Sequence, residues 1–87
     1  MMEYEVFPKR WGNGQIITSP VKGSVVCIRV ETGGKVLEQE LIVMIREERG
    51  NVKQILTGTN GIVDKVSVKV GDKVVRGDVL LFIKEVL

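Results

Sequence analysis

The chain has 87 residues, 44% of them apolar and 28% charged, a balance that supports one small folded domain with a modest core and argues against disorder. Its formal net charge of +2, with no basic run longer than Lys9-Arg10, is too weak to point to a nucleic acid or a membrane surface, and no apolar stretch approaches the length of a membrane helix. With Cys27 as the only cysteine and no histidine, an intramolecular disulfide and ordinary zinc sites are excluded, and no metal is expected. The acidic opening around Glu3 and Glu5 does not read as a secretory signal, so the expected localisation is cytoplasmic.

Residues 1–16 read as an N-terminal extension. Tyr4 and Val6 alternate with Glu3 and Glu5, the period of an additional edge strand. Three of the four aromatic residues, Tyr4, Phe7 and Trp11, fall in this stretch and are read as a packed cap rather than an exposed anchor; the fourth, Phe82, is assigned to the core. Val25, Ile28 and Val30 then sit among β-branched neighbours and read as strand, followed by a Gly33-Gly34 turn. Leu41 to Ile45 is a continuous apolar run too short for a helix and reads as a strand buried on both faces or nearly so. The polar connector 46–55, centred on Gly50-Asn51, reads as a protruding hairpin tip. Asn60-Gly61 carries the signal of a two-residue hairpin turn with positive φ at Gly61, and Lys22-Gly23 stands in the equivalent place. Val66, Val68 and Val70 alternate with Lys65, Ser67 and Lys69, which predicts a strand reaching Val70. A Gly71-Asp72 turn and a second buried run, Val79 to Ile83, complete the series, and no helical period occurs over a useful window.

The chain repeats itself at an offset of 38 residues. Gly23/Gly61, Val25/Val63, Val30/Val68, Gly33/Gly71, Lys35/Lys73, Val36/Val74 and Ile45/Ile83 are identical, where background residue frequencies give about one or two identities. One copy alone would expose an apolar face and open edges, which is marginal in water. Two copies, about 18–45 and 56–83, bury those faces against each other. The expected fold is therefore all-β, a flattened barrel or sandwich of two antiparallel sheets with an internal pseudo-two-fold, in a single domain over 17–87.

The stretch from Ser19 to Val26, continued by Val30 to Leu41, resembles the first half of a biotinyl/lipoyl domain. The stretch from Gly61 to Ile83 resembles its second half and is the more specific match. The resemblance implies two four-stranded sheets related by a quasi-two-fold. It also implies a lysine at the tip of the central hairpin that is acylated by biotin or lipoate and swings between active sites. Biotin carriers have Ala-Met-Lys-Met around that lysine and lipoyl carriers usually Asp-Lys-Ala; this chain has neither. Counting back from Gly61 at the family's spacing puts Gly50 at the lysine position, and counting forward from Leu41 puts Glu48 there, so the connector reads two residues longer than the family's. The only lysine of the connector is Lys53. Arg49 is no substitute, because a guanidinium stays protonated and is a poor nucleophile toward an acyl-adenylate.

Other features have bland readings. Lys65, Lys69, Lys73 and Arg76 form no aromatic-interleaved basic stripe and read as a solvated, edge-guarding face. Glu47 and Glu48 have no nucleophile or histidine beside them, so no catalytic residues are assigned and no enzyme is expected. Cys27 aligns with outward-facing Lys65 and reads as inert. The expectation is a biotinyl/lipoyl-like domain that carries no cofactor and serves as a protein-binding or structural module, as a monomer or within a larger complex. Its first candidate interaction surface is the tip, Arg46, Glu47, Glu48, Arg49, Gly50 and Asn51, and the N-terminal aromatics are the second. Its partner is an unidentified protein, not a nucleic acid or a membrane. Two readings compete: a biotin or lipoyl carrier subunit of a multienzyme complex acylated on Lys53, and a relative of the membrane-fusion adaptors of export pumps. The latter typically separate the two halves by a long helical hairpin, which the short connector here does not provide.

Overall fold

The computed structural model describes residues 3–5, 9–11 and 14–85, with side chains over 14–85. Among the described residues every regular element is a strand. Four strands come from the first copy: β3 (Gly14–Thr18), β4 (Gly23–Ile28), β5 (Lys35–Val36) and β6 (Leu41–Glu47). Four come from the second: β7 (Val52–Leu56), β8 (Gly61–Val66), β9 (Lys73–Val74) and β10 (Val79–Glu85). Each strand of the second set lies 38 residues after its counterpart, so the duplication reaches back to Gly14 and includes β3 and β7. Two short strands precede them, β1 (Glu3–Glu5) and β2 (Lys9–Trp11).

The halves interleave. One sheet runs β7-β6-β4-β9 and the other β3-β10-β8-β5, so each four-stranded antiparallel sheet draws two strands from each copy. β1 adds a parallel edge to the first sheet and β2 an antiparallel edge to the second. Glycine-led turns lock the copies together. Gly33 N–H donates to Val63 O at 2.7 Å and Val63 N–H to Gly34 O at 2.8 Å; in the other copy Gly71 donates to Val25 and Val25 to Asp72, both at 2.8 Å.

The core obeys the same arithmetic. Its twelve buried residues are six pairs at the repeat spacing: Ile17/Ile55, Val25/Val63, Val36/Val74, Ile42/Leu80, Val43/Leu81 and Ile45/Ile83. Adjacent Ile42 and Val43 both face inward because the ladder is irregular between Leu41 and Val43, and the same irregularity recurs between Val79 and Leu81. A bulge adds a residue to one strand and so allows consecutive side chains to be buried, which is why these runs are apolar without alternation. At about 1.5–3 kcal/mol per fully buried aliphatic side chain, this core is the main stabilising term of a small domain.

Four expectations are corrected. β8 ends at Val66; Val66 and Val68 pack on the core, but Ser67 continues only by one bond to Leu80 O at 2.8 Å, and Val70 is 60% exposed. Asn60-Gly61 and Lys22-Gly23 are not hairpin turns, because the chain there crosses from one sheet to the other. Gly61 does not have positive φ: among the described residues those glycines are Gly33, Gly50, Gly71 and Gly77. Its constraint is contact, since a Cβ would run into the carbonyl oxygen of Lys84 across the ladder, as one on Gly23 would into that of Arg46. Phe82 is half-buried beside the core rather than part of it. The aromatic cap of Tyr4, Phe7 and Trp11 lies outside the residues whose side chains are described.

Candidate functional site

The hairpin of β6 and β7 carries the candidate site. Its ladder runs from Leu41–Leu56 to Arg46–Val52, and beyond it Glu47 N–H donates to Asn51 O at 2.7 Å. Gly50 N–H donates to Glu47 O at 2.8 Å, closing a β-turn whose last residue, Gly50, has φ +95°. This is a three-residue loop, Glu48-Arg49-Gly50, of the type I turn plus glycine bulge kind, and Gly50 supplies the left-handed residue that closes it. The connector is thus shorter than 46–55, with both ends absorbed into strands. The two counting frames, Glu48 and Gly50, fall on the first and last residues of this one loop.

Around the tip the structure brings together residues that are remote in sequence. One cleft beside it, of about 370 Å³, is lined by Lys22, Ser24, Arg46, Lys73 and Val75. A second, of about 320 Å³, lies against Pro20, Val21, Arg49 and Arg76. Lys22, Glu47 and Glu48 line both, and Lys22 Nζ sits 3.3 Å from Glu48 Oε1. Both partners of that ion pair are about 70% exposed, so it adds little to the stability of the fold. The residues read as one solvated face are divided: Lys65 lies on β8 in one sheet and Lys73 on β9, the edge of the other, while Arg76 joins the tip.

Lys53 is elsewhere. It lies within β7, opposite core residue Ile45 and two residues from core residue Ile55, so its side chain is on the inward face, and it is only 9% exposed. Its repeat counterpart is Gln15, equally inward and 7% exposed, whose amide Nε2 donates to Glu85 Oε1 at 3.2 Å. Sequence reading also missed a buried hydroxyl pair, Ser19 and Thr57. Ser19 Oγ donates to Val21 O at 2.6 Å and Thr57 Oγ1 to Thr59 O at 2.9 Å, closing the two sheet-crossing turns. The signal was available: a Ser/Thr match at the same 38-residue spacing, within the two copies but ahead of their first identical pair, Gly23/Gly61. Cys27 is half-buried on β4 opposite Met44, and no group of three or more metal-binding side chains occurs among the described residues.

No family model and no curated protein matches the sequence significantly. Solved structures do resemble it. The chain superposes on part of a single-chain, multi-domain long-chain acyl-CoA carboxylase with a TM-score of 0.79 and 18% identity, over 91% of this chain and 8% of that one. For the urea carboxylase of Kluyveromyces lactis the TM-score is 0.72 and the identity 21%, over 93% of this chain and 7% of that one. The lipoyl domain of the 2-oxoglutarate dehydrogenase complex from Azotobacter vinelandii gives 0.70 and 26%, over 80% of this chain and 95% of that domain. Each carboxylase is therefore matched over a small part of its length and the lipoyl domain over nearly its whole length. Interleaved duplicated sheets, a protruding central hairpin and these superpositions agree: the chain has the biotinyl/lipoyl-like fold.

Proposed function

We propose that this protein is a biotinyl/lipoyl-like domain that is not acylated and acts as a protein-binding or structural module, not as an enzyme. The supporting observation is the pairing of a lysine-free loop, Glu48-Arg49-Gly50, with a lysine that faces the core, Lys53. Ligation of biotin or lipoate needs an amine that can lose its proton and reach an acyl-adenylate in a ligase that closes around an exposed turn. Arg49 is at the turn but stays protonated. Lys53 has the chemistry but sits on a strand, buried opposite Ile45. The residues present therefore fit neither prosthetic group. The three-residue loop likewise offers no room for the helical hairpin of an export-pump adaptor.

The test is the intact mass of the protein co-expressed with biotin and lipoate ligases and supplied with both cofactors. The expected mass is that of the unmodified chain. An adduct that disappears in Lys53→Arg would overturn this reading and make the protein a carrier.

A further inference from the structure

We infer that the hairpin-tip end of the sandwich is a cationic docking face for a carboxylate-rich protein surface; the inference rests on the protein-binding reading above and names its partner's chemistry. The two clefts beside the tip are lined by five cationic side chains, Lys22, Arg46, Arg49, Lys73 and Arg76, against two carboxylates, Glu47 and Glu48. That surplus of three exceeds the +2 of the entire chain. Asp78, in the Arg76 turn, has its carboxylate on Val75 N–H at 2.8 Å, and Glu40 makes the same contact with Leu37 N–H in the other copy at 3.0 Å, so these two leave the contrast between the ends unchanged.

The duplication supplies an internal control. At the described positions 38 residues away stand Asn60, Lys84, Lys35 and Glu38 for Lys22, Arg46, Lys73 and Arg76, and Glu85 for Glu47. Two cations against two carboxylates leave that set neutral. The two copies share their strands and core pairs, and Lys22 and Arg76 are exposed, so the core makes no demand for this charge; at the other end their counterparts are joined instead by a neutral contact, Glu38 N–H donating to Asn60 Oδ1 at 2.7 Å.

The geometry favours a protein over a nucleic acid. Three of the five cations are arginines, whose planar guanidinium can hold a carboxylate by two bonds. Glu47 and Glu48 lie among them, where a continuous phosphate backbone would be repelled but a protein surface can answer with a cation of its own. Among the described residues no aromatic side chain lines either cleft to stack a base, whereas Val75, half exposed, offers an apolar contact at the edge of the cationic ring.

The test titrates a labelled oligo-glutamate peptide into the full chain and into two charge-matched variants. One is Arg49→Glu/Arg76→Glu at the tip; the other is Lys35→Glu/Lys84→Glu at the opposite end. All four residues are exposed, and circular dichroism checks that both variants keep the fold. The tip variant should weaken binding about tenfold or more and the distal variant by about twofold or less, with affinity falling as salt is raised. Amide shifts in the unmodified protein should cluster at 22–24, 46–51 and 73–76. Equal loss in both variants, shifts centred elsewhere, or an oligonucleotide of equal charge competing as well as the peptide would overturn the inference. Its failure is separable from that of the module reading, because acylation is read from the mass and docking from the titration.

Discussion

Gln39 is the one described non-glycine residue with positive φ, at +67°, and its counterpart in the second copy is Gly77 at +93°. Both stand in the same tight turn, where the N–H two positions before donates to a carboxylate one position after: Leu37 to Glu40 and Val75 to Asp78. An L side chain in the left-handed region costs about 1–2 kcal/mol, part of which glycine returns through its freer unfolded chain. Gln39→Gly should therefore raise stability by about 0.5–1 kcal/mol, read as a higher urea midpoint with an unchanged slope. A lower midpoint would mean that the exposed Gln39 side chain makes a contact worth more than the strain. This residue could be found from sequence alone by aligning the copies, since the fold makes the same turn twice and only one copy has the residue the turn prefers.

At the level of elements, β4 and β8 begin where two backbones approach closely. Gly23 and Gly61 are identical across the repeat because a Cβ at either would strike a carbonyl oxygen of the next strand, that of Arg46 or of Lys84. Relief requires the strand to move, and neither β6 nor β10 can move without disturbing Ile45 or Ile83 in the core. Gly61→Val should cost about 2–3 kcal/mol, within the range of an overpacked core, and Gly61→Ala should destabilise in the same direction. Full retention of the thermal midpoint in Gly61→Ala would show that the sheet opens there without penalty. The sequence marked these positions correctly as requiring glycine and gave the wrong cause. A glycine needed for positive φ and one needed for close approach look alike in one dimension; only the paired strand distinguishes them.

At the scale of the whole molecule, duplication does not mean independence. Each sheet takes two strands from each copy, and each copy's glycine turn donates to and accepts from a core strand of the other, at Val25 and at Val63. A half by itself would lose its sheet partners and expose Val25, Val43 and Ile45, or their counterparts, to water. Fragments 1–50 and 51–87 should therefore each give the circular dichroism of an unfolded chain, while the intact protein unfolds in one cooperative transition. A cooperative melt in either fragment would show that one copy is a stable unit.

The sequence by itself determined the all-β class, the two copies, most of the inward-facing residues, the glycine turns at Gly33 and Gly71, and the hairpin at Gly50. These follow from local rules: apolar runs too short for helices, glycine where the backbone turns left-handed, and one pattern written twice. The tertiary structure decided the rest. It ended β8 at Val66, since the alternation to Val70 is also satisfied by a non-ladder segment that packs Val68 on the core and leaves Val70 in water. It put Lys53 on the inward side of β7, a matter of register across the hairpin that no spacing along the chain fixes. It also gathered Lys22, Lys73 and Arg76 around the tip, residues separated by up to 54 positions in the chain, because only the crossing of β9 into the sheet of β4 and β6 brings the second copy's turn beside the first copy's hairpin.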